Sequence, residues 1–329
     1  MIERSLRDGV LSGSVTPILD FLLEEETLRI IAAAWFVYLV LALASCGGGS
    51  TSSSSSSIGP NASQGPLAGN WQIILTQEVP AQNPIVQLPV SGFLLESNTS
   101  ITGSVALPGN GITASCAGVG TVTGTLSGQN VSISVDESGS TLNLTGDASS
   151  DSMSMAGTYQ SLAGGCTKTP TSGTWAAFQV PPLKGKFSGT LAGSTYMGAL
   201  TGQNPVAAIQ VAGTMTQSPN IGASNAPLTG AITAVGYPCF ATASVSGTIS
   251  GQRVYLSVFG FDGSLIGNLG IDPGGDPGVG GTPAKVSASS NGTVLTGIMN
   301  LGSTSTGPCP PLAQTGVEND SPAATLTFQ

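Results

Sequence analysis

The chain has 329 residues, 40% of them hydrophobic and only 8% charged, with 17 acidic against 8 basic side chains and no histidine. Such a balance disfavours nucleic-acid binding, which rests on clustered lysine and arginine, and the missing histidine excludes Ser-His-Asp and Cys-His constellations. The hydrophobic content is also too high and the charge too sparse for a disordered chain; the composition is that of an all-β protein with hydroxyl-covered outer faces.

Ile30 to Ala44 is an uncharged apolar run of fifteen residues, preceded by Arg29. A membrane-crossing helix needs about 20 apolar residues, whereas the core of a secretory signal needs roughly 7–15, with a positive charge before it and small residues before the cut. Leu43-Ala44-Ser45-Cys46 resembles the lipobox of bacterial lipoproteins. The resemblance implies that residues 1–45 are a cleaved signal peptide and that Cys46 becomes the lipidated first residue of the mature chain. It also implies attachment to the cell envelope, with the membrane as a partner through that anchor. Glu24, Glu25 and Glu26, just before the run, oppose the usual inside-positive bias. They suggest a start site set too far upstream, with translation beginning near Leu28, or else a short cytoplasmic amphipathic extension in residues 1–28. The leader holds six acids and three bases, which leaves the mature part 11 acids, 5 bases and a net charge of −6.

Residues 46–66 show no apolar periodicity and include the unbroken run Ser52 to Ser57. This reads as a flexible tether, whose mean span over ~20 residues is roughly 25 Å.

The remainder is a duplication. Gln82-Asn83-Pro84 recurs as Gln203-Asn204-Pro205, Val90-Ser91-Gly92 as Val211-Ala212-Gly213, and Cys116 as Cys239. Val122 to Val135 (VTGTLSGQNVSISV) and Val245 to Val258 (VSGTISGQRVYLSV) share nine of fourteen residues. A repeat this long makes a domain with its own core rather than a solenoid unit. Val180-Pro181-Pro182 marks the boundary, since Pro-Pro disfavours both helix and central strand. Two β domains are expected, 67–180 and 183–329.

Within each copy the pattern is strand. Val131, Ile133 and Val135 alternate with Ser132 and Ser134; Val254, Leu256 and Val258 repeat the arrangement. Leu142 and Leu144 alternate with polar residues, and Met153 and Met155 flank Ser154. Gly128-Gln129-Asn130, Glu137-Ser138-Gly139 and Ser149-Ser150-Asp151 read as turns. Runs with this spacing predict an antiparallel meander of about eight strands per copy, closed as a barrel or stacked as a sandwich. No segment after the leader has a helical period. Gly69-Asn70-Trp71 on the first strand is similar to the Gly-x-Trp opening of calycin barrels such as lipocalins. That resemblance implies a tryptophan closing one barrel end and a small-molecule pocket. Gly185-Lys186-Phe187 is its counterpart in the second copy. The chain as a whole resembles two-domain β lipoproteins of environmental Gram-negative bacteria, a likeness that carries no function.

Five cysteines are present, and lipidation of Cys46 leaves four, which allow three pairings. The repeat selects Cys116 with Cys166 and Cys239 with Cys309, one bridge per copy. Loops of about 50 and 70 residues give ~4 kcal/mol each in the chain-entropy treatment. Metal ligation lacks histidine and any close Cys-x-x-Cys spacing, so no metal or other cofactor is expected. Asp136 and Glu137, the closest carboxylates before the C-terminal tail, sit at a predicted turn and read as solvated. Asp262, Asp272 and Asp276 lie in a Gly/Pro-rich stretch, Gly260 to Gly281, absent from the first copy and read as a long hairpin loop. Lys168, Lys184, Lys186 and Lys285 are not placed near a nucleophile. The expectation is therefore a non-catalytic binding module for a small apolar ligand, glycan or protein, or else a structural surface lipoprotein without a ligand pocket.

Overall fold

A computed structural model describes residues 65–77, 86–107, 118–164, 169–203, 206–220, 222–270, 284–290, 292–302 and 320–329. The leader, Cys46 and the serine tract lie outside these residues, as do Cys116, Cys166 and Cys309. The described residues belong to one compact unit, Pro60–Gln329.

The first barrel is β1 (Gly69–Gln77), β2 (Val86–Ser97), β3 (Ser100–Leu107), β4 (Gly118–Ser127), β5 (Asn130–Glu137), β6 (Ser140–Ala148), β7 (Ser154–Ser161) and β8 (Thr171–Val180). Each strand pairs antiparallel with the next, and β8 closes onto β1 from Asn70↔Val180 to Gln77↔Gly173. The meander follows from period-2 patterning joined by short turns. At Ser138-Gly139 both residues have positive φ, 50° and 83°, the geometry a two-residue hairpin requires. Along β5, Val131, Ile133 and Val135 point inward and are buried, while Ser132 and Asp136 are exposed.

The second barrel begins at β9 (Gly185–Ala192), after Pro181-Pro182. It continues through helix α1 (Thr195–Thr201), β10 (Ile209–Gln217), β11 (Ala226–Ala234), β12 (Thr242–Ser250) and β13 (Arg253–Phe259). β14 (Leu265–Leu269), β15 (Ala284–Ser289), β16 (Gly292–Leu301) and β17 (Ala323–Phe328) complete it, with β17 closing onto β9. β14 and β15 share one place in the wall. β14 joins one half of β13 to β16 through Leu256↔Leu269 and Leu269↔Met299. β15 joins the other half through Val254↔Ala284 and Val286↔Leu295. Both run in the same direction, so the wall has eight places, as in the first barrel.

Two expectations are corrected here. Part of the stretch read as a loop, Gly260 to Gly281, is barrel strand: Leu265–Leu269 is β14. A helix also exists where none was expected. α1 has no apolar period to announce it; it forms because the Ser194 hydroxyl accepts from Met197 N–H, and Gly202 ends it in the left-handed conformation at φ 65°.

The duplicated segment maps onto equivalent hairpins, β4–β5 and β12–β13. Gly124 and Gly247 hold equivalent inward places. A Cβ on Gly124 would lie 2.4 Å from the Ser132 carbonyl oxygen, and one on Gly247 1.9 Å from that of Tyr255. Only glycine lets neighbouring strands approach so closely at the bends a small barrel needs.

Each barrel has its own core. Trp71, Ile101, Val105 and Leu144 fill the first; Leu228, Val254, Val258 and Leu295 fill the second. Met155 belongs to the first core, but Met153, expected to share its face, stands 46% exposed just before β7.

Candidate binding cleft

Trp71 lies in the core of the first barrel. It is 0% exposed, and its Nε1 donates to the Leu67 carbonyl over 2.8 Å. Leu67 sits in the turn preceding β1, and its N–H donates to Glu96 Oε2 over 2.7 Å. The turn covers this barrel end, with the Glu96 carboxylate holding it from β2. Trp71, Trp175 and Tyr159 are buried inside the first barrel and Phe187 and Phe328 inside the second.

At the opposite end of the first barrel the two adjacent carboxylates separate. Asp136 faces water. Glu137 faces the interior and is 8% exposed, because neighbouring strand residues point to opposite faces. This corrects the reading of both as solvated. Burial pushes the Glu137 carboxyl above the ordinary carboxylate range. Nearby, the Ser140 hydroxyl donates to the Gly164 carbonyl. The Tyr159 phenol is raised by burial, with a hydrogen bond involving Thr171 acting the other way.

The equivalent end of the second barrel carries a cluster that sequence reasoning missed. Asp320 is 0% exposed. Its carboxyl oxygens accept from the Ser194 hydroxyl, from Tyr237 OH at 2.6 Å, from Thr195 N–H at 2.8 Å, from Thr195 Oγ1 at 3.1 Å and from Ser321 N–H at 3.0 Å. The cluster thus fixes α1, the β11–β12 connection and β17 to one another. Burial raises the Tyr237 hydroxyl far above the usual phenol range; the hydrogen bond to Asp320 and its negative charge add to the effect. Nothing local marks Asp320, since Tyr237 and Ser194 are 83 and 126 positions away.

Cys239 is buried beside this cluster and is disulfide-bonded, to a cysteine outside the described residues. Asp262 is exposed at the β13–β14 turn, where Ser264 N–H and Oγ donate to it at 3.0 and 2.6 Å and hold its carboxyl below the usual range. Asp272, Asp276 and Lys168 lie outside the described residues. Lys184, Lys186 and Lys285 are exposed. Among the described residues no group of three or more Cys, Asp or Glu is placed to hold a metal ion, and no helix is long and apolar enough to cross a membrane.

The two barrels meet through a polar seam that the sequence did not reveal. Asn70 Nδ2 donates to the Gly251 carbonyl over 2.8 Å, and Gly251 N–H donates to Asn70 Oδ1 over 2.7 Å. Gln252 N–H donates to Gln72 Oε1 at 3.2 Å, and the Ser91 and Ser250 hydroxyls meet at 2.9 Å. The outer face of β1–β2 therefore receives the β12–β13 turn, with Phe93 of the first barrel entering the core cluster of the second.

Beside this seam is a cleft of about 440 Å³. Its walls come from Phe93, Leu94, Leu95, Met153 and Pro181 on one side and from Lys184 and Gln217 to Asn220 on the other. Among the described residues no carboxylate lines it. Its size and mainly apolar character are those of a small-molecule site, and clefts between packed bodies are a common place for one.

Fold and cleft together define a tandem β-barrel protein with a pocket at the junction of its two barrels. No family model, no curated protein and no solved structure matches the chain.

Proposed function

We propose that this chain is an envelope-anchored lipoprotein whose paired barrels act as a non-catalytic binding module, with the ligand seat in the cleft between them. The cleft carries this reading: it is apolar, of ligand size and built from both barrels. Its occupant is a small apolar molecule, or the apolar part of a glycan or protein. The lipobox-like Leu43 to Cys46 supports the anchor at Cys46 and an exported location; the serine tract supports a tether. The disulfides Cys116–Cys166 and Cys239–Cys309 belong to the same proposal. Both cysteines of each pair lie in connections at one end of their barrel, before β4 and between β7 and β8 in the first, before β12 and between β16 and β17 in the second.

The test is a titration of the full chain with an uncharged environment-sensitive dye such as N-phenyl-1-naphthylamine. About one site per chain is expected, and Met153→Glu, which puts a charge on the cleft wall at an exposed position, should remove it. Binding that ignores this substitution, or no binding, rejects the cleft. Intact mass of the membrane-extracted protein should begin at an acylated Cys46; a mass that includes Ile30 to Ser45 rejects the anchor.

A structural lipoprotein without a ligand is the second reading. Its support is the filled barrel interiors and the apolar tips Phe261 and Val235, 105% and 89% exposed on two connections at the same end of the second barrel.

A further inference from the structure

We infer that the inter-barrel cleft takes an amphiphile with one acidic head group, the tail against Phe93, Leu95 and Pro181 and the head at Lys184 and Gln217. The inference rests on the cleft being the ligand seat and adds the chemistry of the ligand.

The argument is an inventory of the polar groups around the cleft. Most are already committed. Both side-chain ends of Asn70 are held by Gly251. Asn220 Nδ2 donates to the Ala223 and Asn225 carbonyls and its Oδ1 accepts from Gly222 N–H. Gln179 Nε2 donates to the Ala68 carbonyl at 2.9 Å. Gln217 Oε1 accepts from Leu183 N–H at 3.0 Å, which fixes the amide and leaves its NH₂ as the uncommitted end. Lys184, exposed at the rim, makes no ion pair among the described residues. The uncommitted groups are thus the Lys184 ammonium, the Gln217 NH₂ and the Ser218 hydroxyl, which can donate or accept, against a single amide acceptor on Gln179. Among the described residues lining the cleft Lys184 is the one that carries a charge, although the chain is acidic overall. A carboxylate or acidic ester head is favoured there and an amine head is repelled. The apolar walls then fit a hydrocarbon tail, and binding releases the water that now fills the space, room for roughly 15 molecules at ~30 Å³ each.

The experiment compares dodecanoate, dodecanol and dodecylammonium on the full chain by calorimetry below their aggregation limits. Dodecanoate should bind about five- to tenfold tighter than dodecanol, and dodecylammonium most weakly. Lys184→Met, which keeps the aliphatic stem, should erase the preference for dodecanoate over dodecanol; Lys184→Arg should retain it. The preference should shrink as salt is raised. Met153→Glu should weaken all three. Equal binding of dodecanoate and dodecanol, or a preference that survives Lys184→Met, overturns the head-group assignment and leaves the cleft standing. Failure of all three to bind, or indifference to Met153→Glu, overturns the cleft itself.

Discussion

Ser127-Gly128-Gln129 and Ser250-Gly251-Gln252 are the same tripeptide, at the same hairpin turn of two equivalent barrels, and they do different work. In the first barrel the turn is exposed, and a Cβ on Gly128 would meet nothing within 4 Å. In the second barrel the turn is buried against β1 and β2, and a Cβ on Gly251 would come within 2.5 Å of Gln72 Oε1 and 2.6 Å of Ser91 Cβ. The receiving faces differ as well. Asn70, Gln72 and Ser91 hold the turn in the first copy, whereas Lys186, Ser188 and Ala212 occupy those places in the second. Duplication supplied two identical turns. Divergence of the receiving face decided that only one of them docks, and docking created the cleft.

The comparison can be pressed hardest at the two core aromatics. Trp71→Ala should cost about 4–5 kcal/mol and Phe187→Ala about 3. The first is the larger because Trp71 also loses its bond to Leu67, which covers that barrel end. Denaturant titration measures both, and equal losses would separate the Leu67 turn from barrel stability.

Next comes Asp320, the fully buried carboxyl that ties three segments of the second barrel together. Asp320→Asn sets an NH₂ donor against the donors of Ser194, Tyr237 and Thr195 and should cost about 2–3 kcal/mol. The loss should fall on the second barrel, read by hydrogen exchange at β9 and β17. Uniform loss across both barrels would mean that they unfold as one.

The turns follow. Gly128→Ala and Gly251→Ala both place a side chain at positive φ, 63° and 55°, which costs about 1–2 kcal/mol. Only Gly251→Ala also strikes the opposing barrel, so its loss should be larger by ~1 kcal/mol or more, with weakened dye binding in the cleft. Identical effects would show that the seam contributes nothing.

The smallest effects are those of pH, and they lie at opposite extremes for the two barrels. The Glu137 carboxyl is raised in the folded state, so folding takes up a proton as pH falls through the window above 4.5. The first barrel should gain stability on acidification there, a slope that Glu137→Gln removes. The Tyr237 hydroxyl is raised from 10.0, so unfolding releases its proton in alkali. The second barrel should lose stability as pH rises above that value, and Tyr237→Phe should flatten the fall. Calorimetric melts across pH test both slopes.

Much of this architecture was legible beforehand. Alternation such as Val131, Ile133 and Val135, punctuated by turns such as Ser138-Gly139, is local information, because a strand's two faces and a hairpin's positive φ are set by residues next to one another. The duplication was legible for the same reason. The Asp136–Glu137 pair shows where local reading stops: alternation requires one of the two to face inward, yet a turn-like sequence disguised which. The α1 helix was invisible because a seven-residue helix held by a cap needs no apolar period.

Sequence by itself determined the strands, their alternation and the repeat, since period and turn chemistry act between near neighbours; it left barrel and sandwich open, and closure is shown by the pairing of first and last strands. Tertiary structure alone decided that Asp320 is buried under donors from two distant segments, that one of two identical turns is docked, and that a cleft rimmed by Lys184 opens beside it. Those outcomes depend on which surfaces meet once both barrels have closed, and the residues that meet there are as many as 181 positions apart.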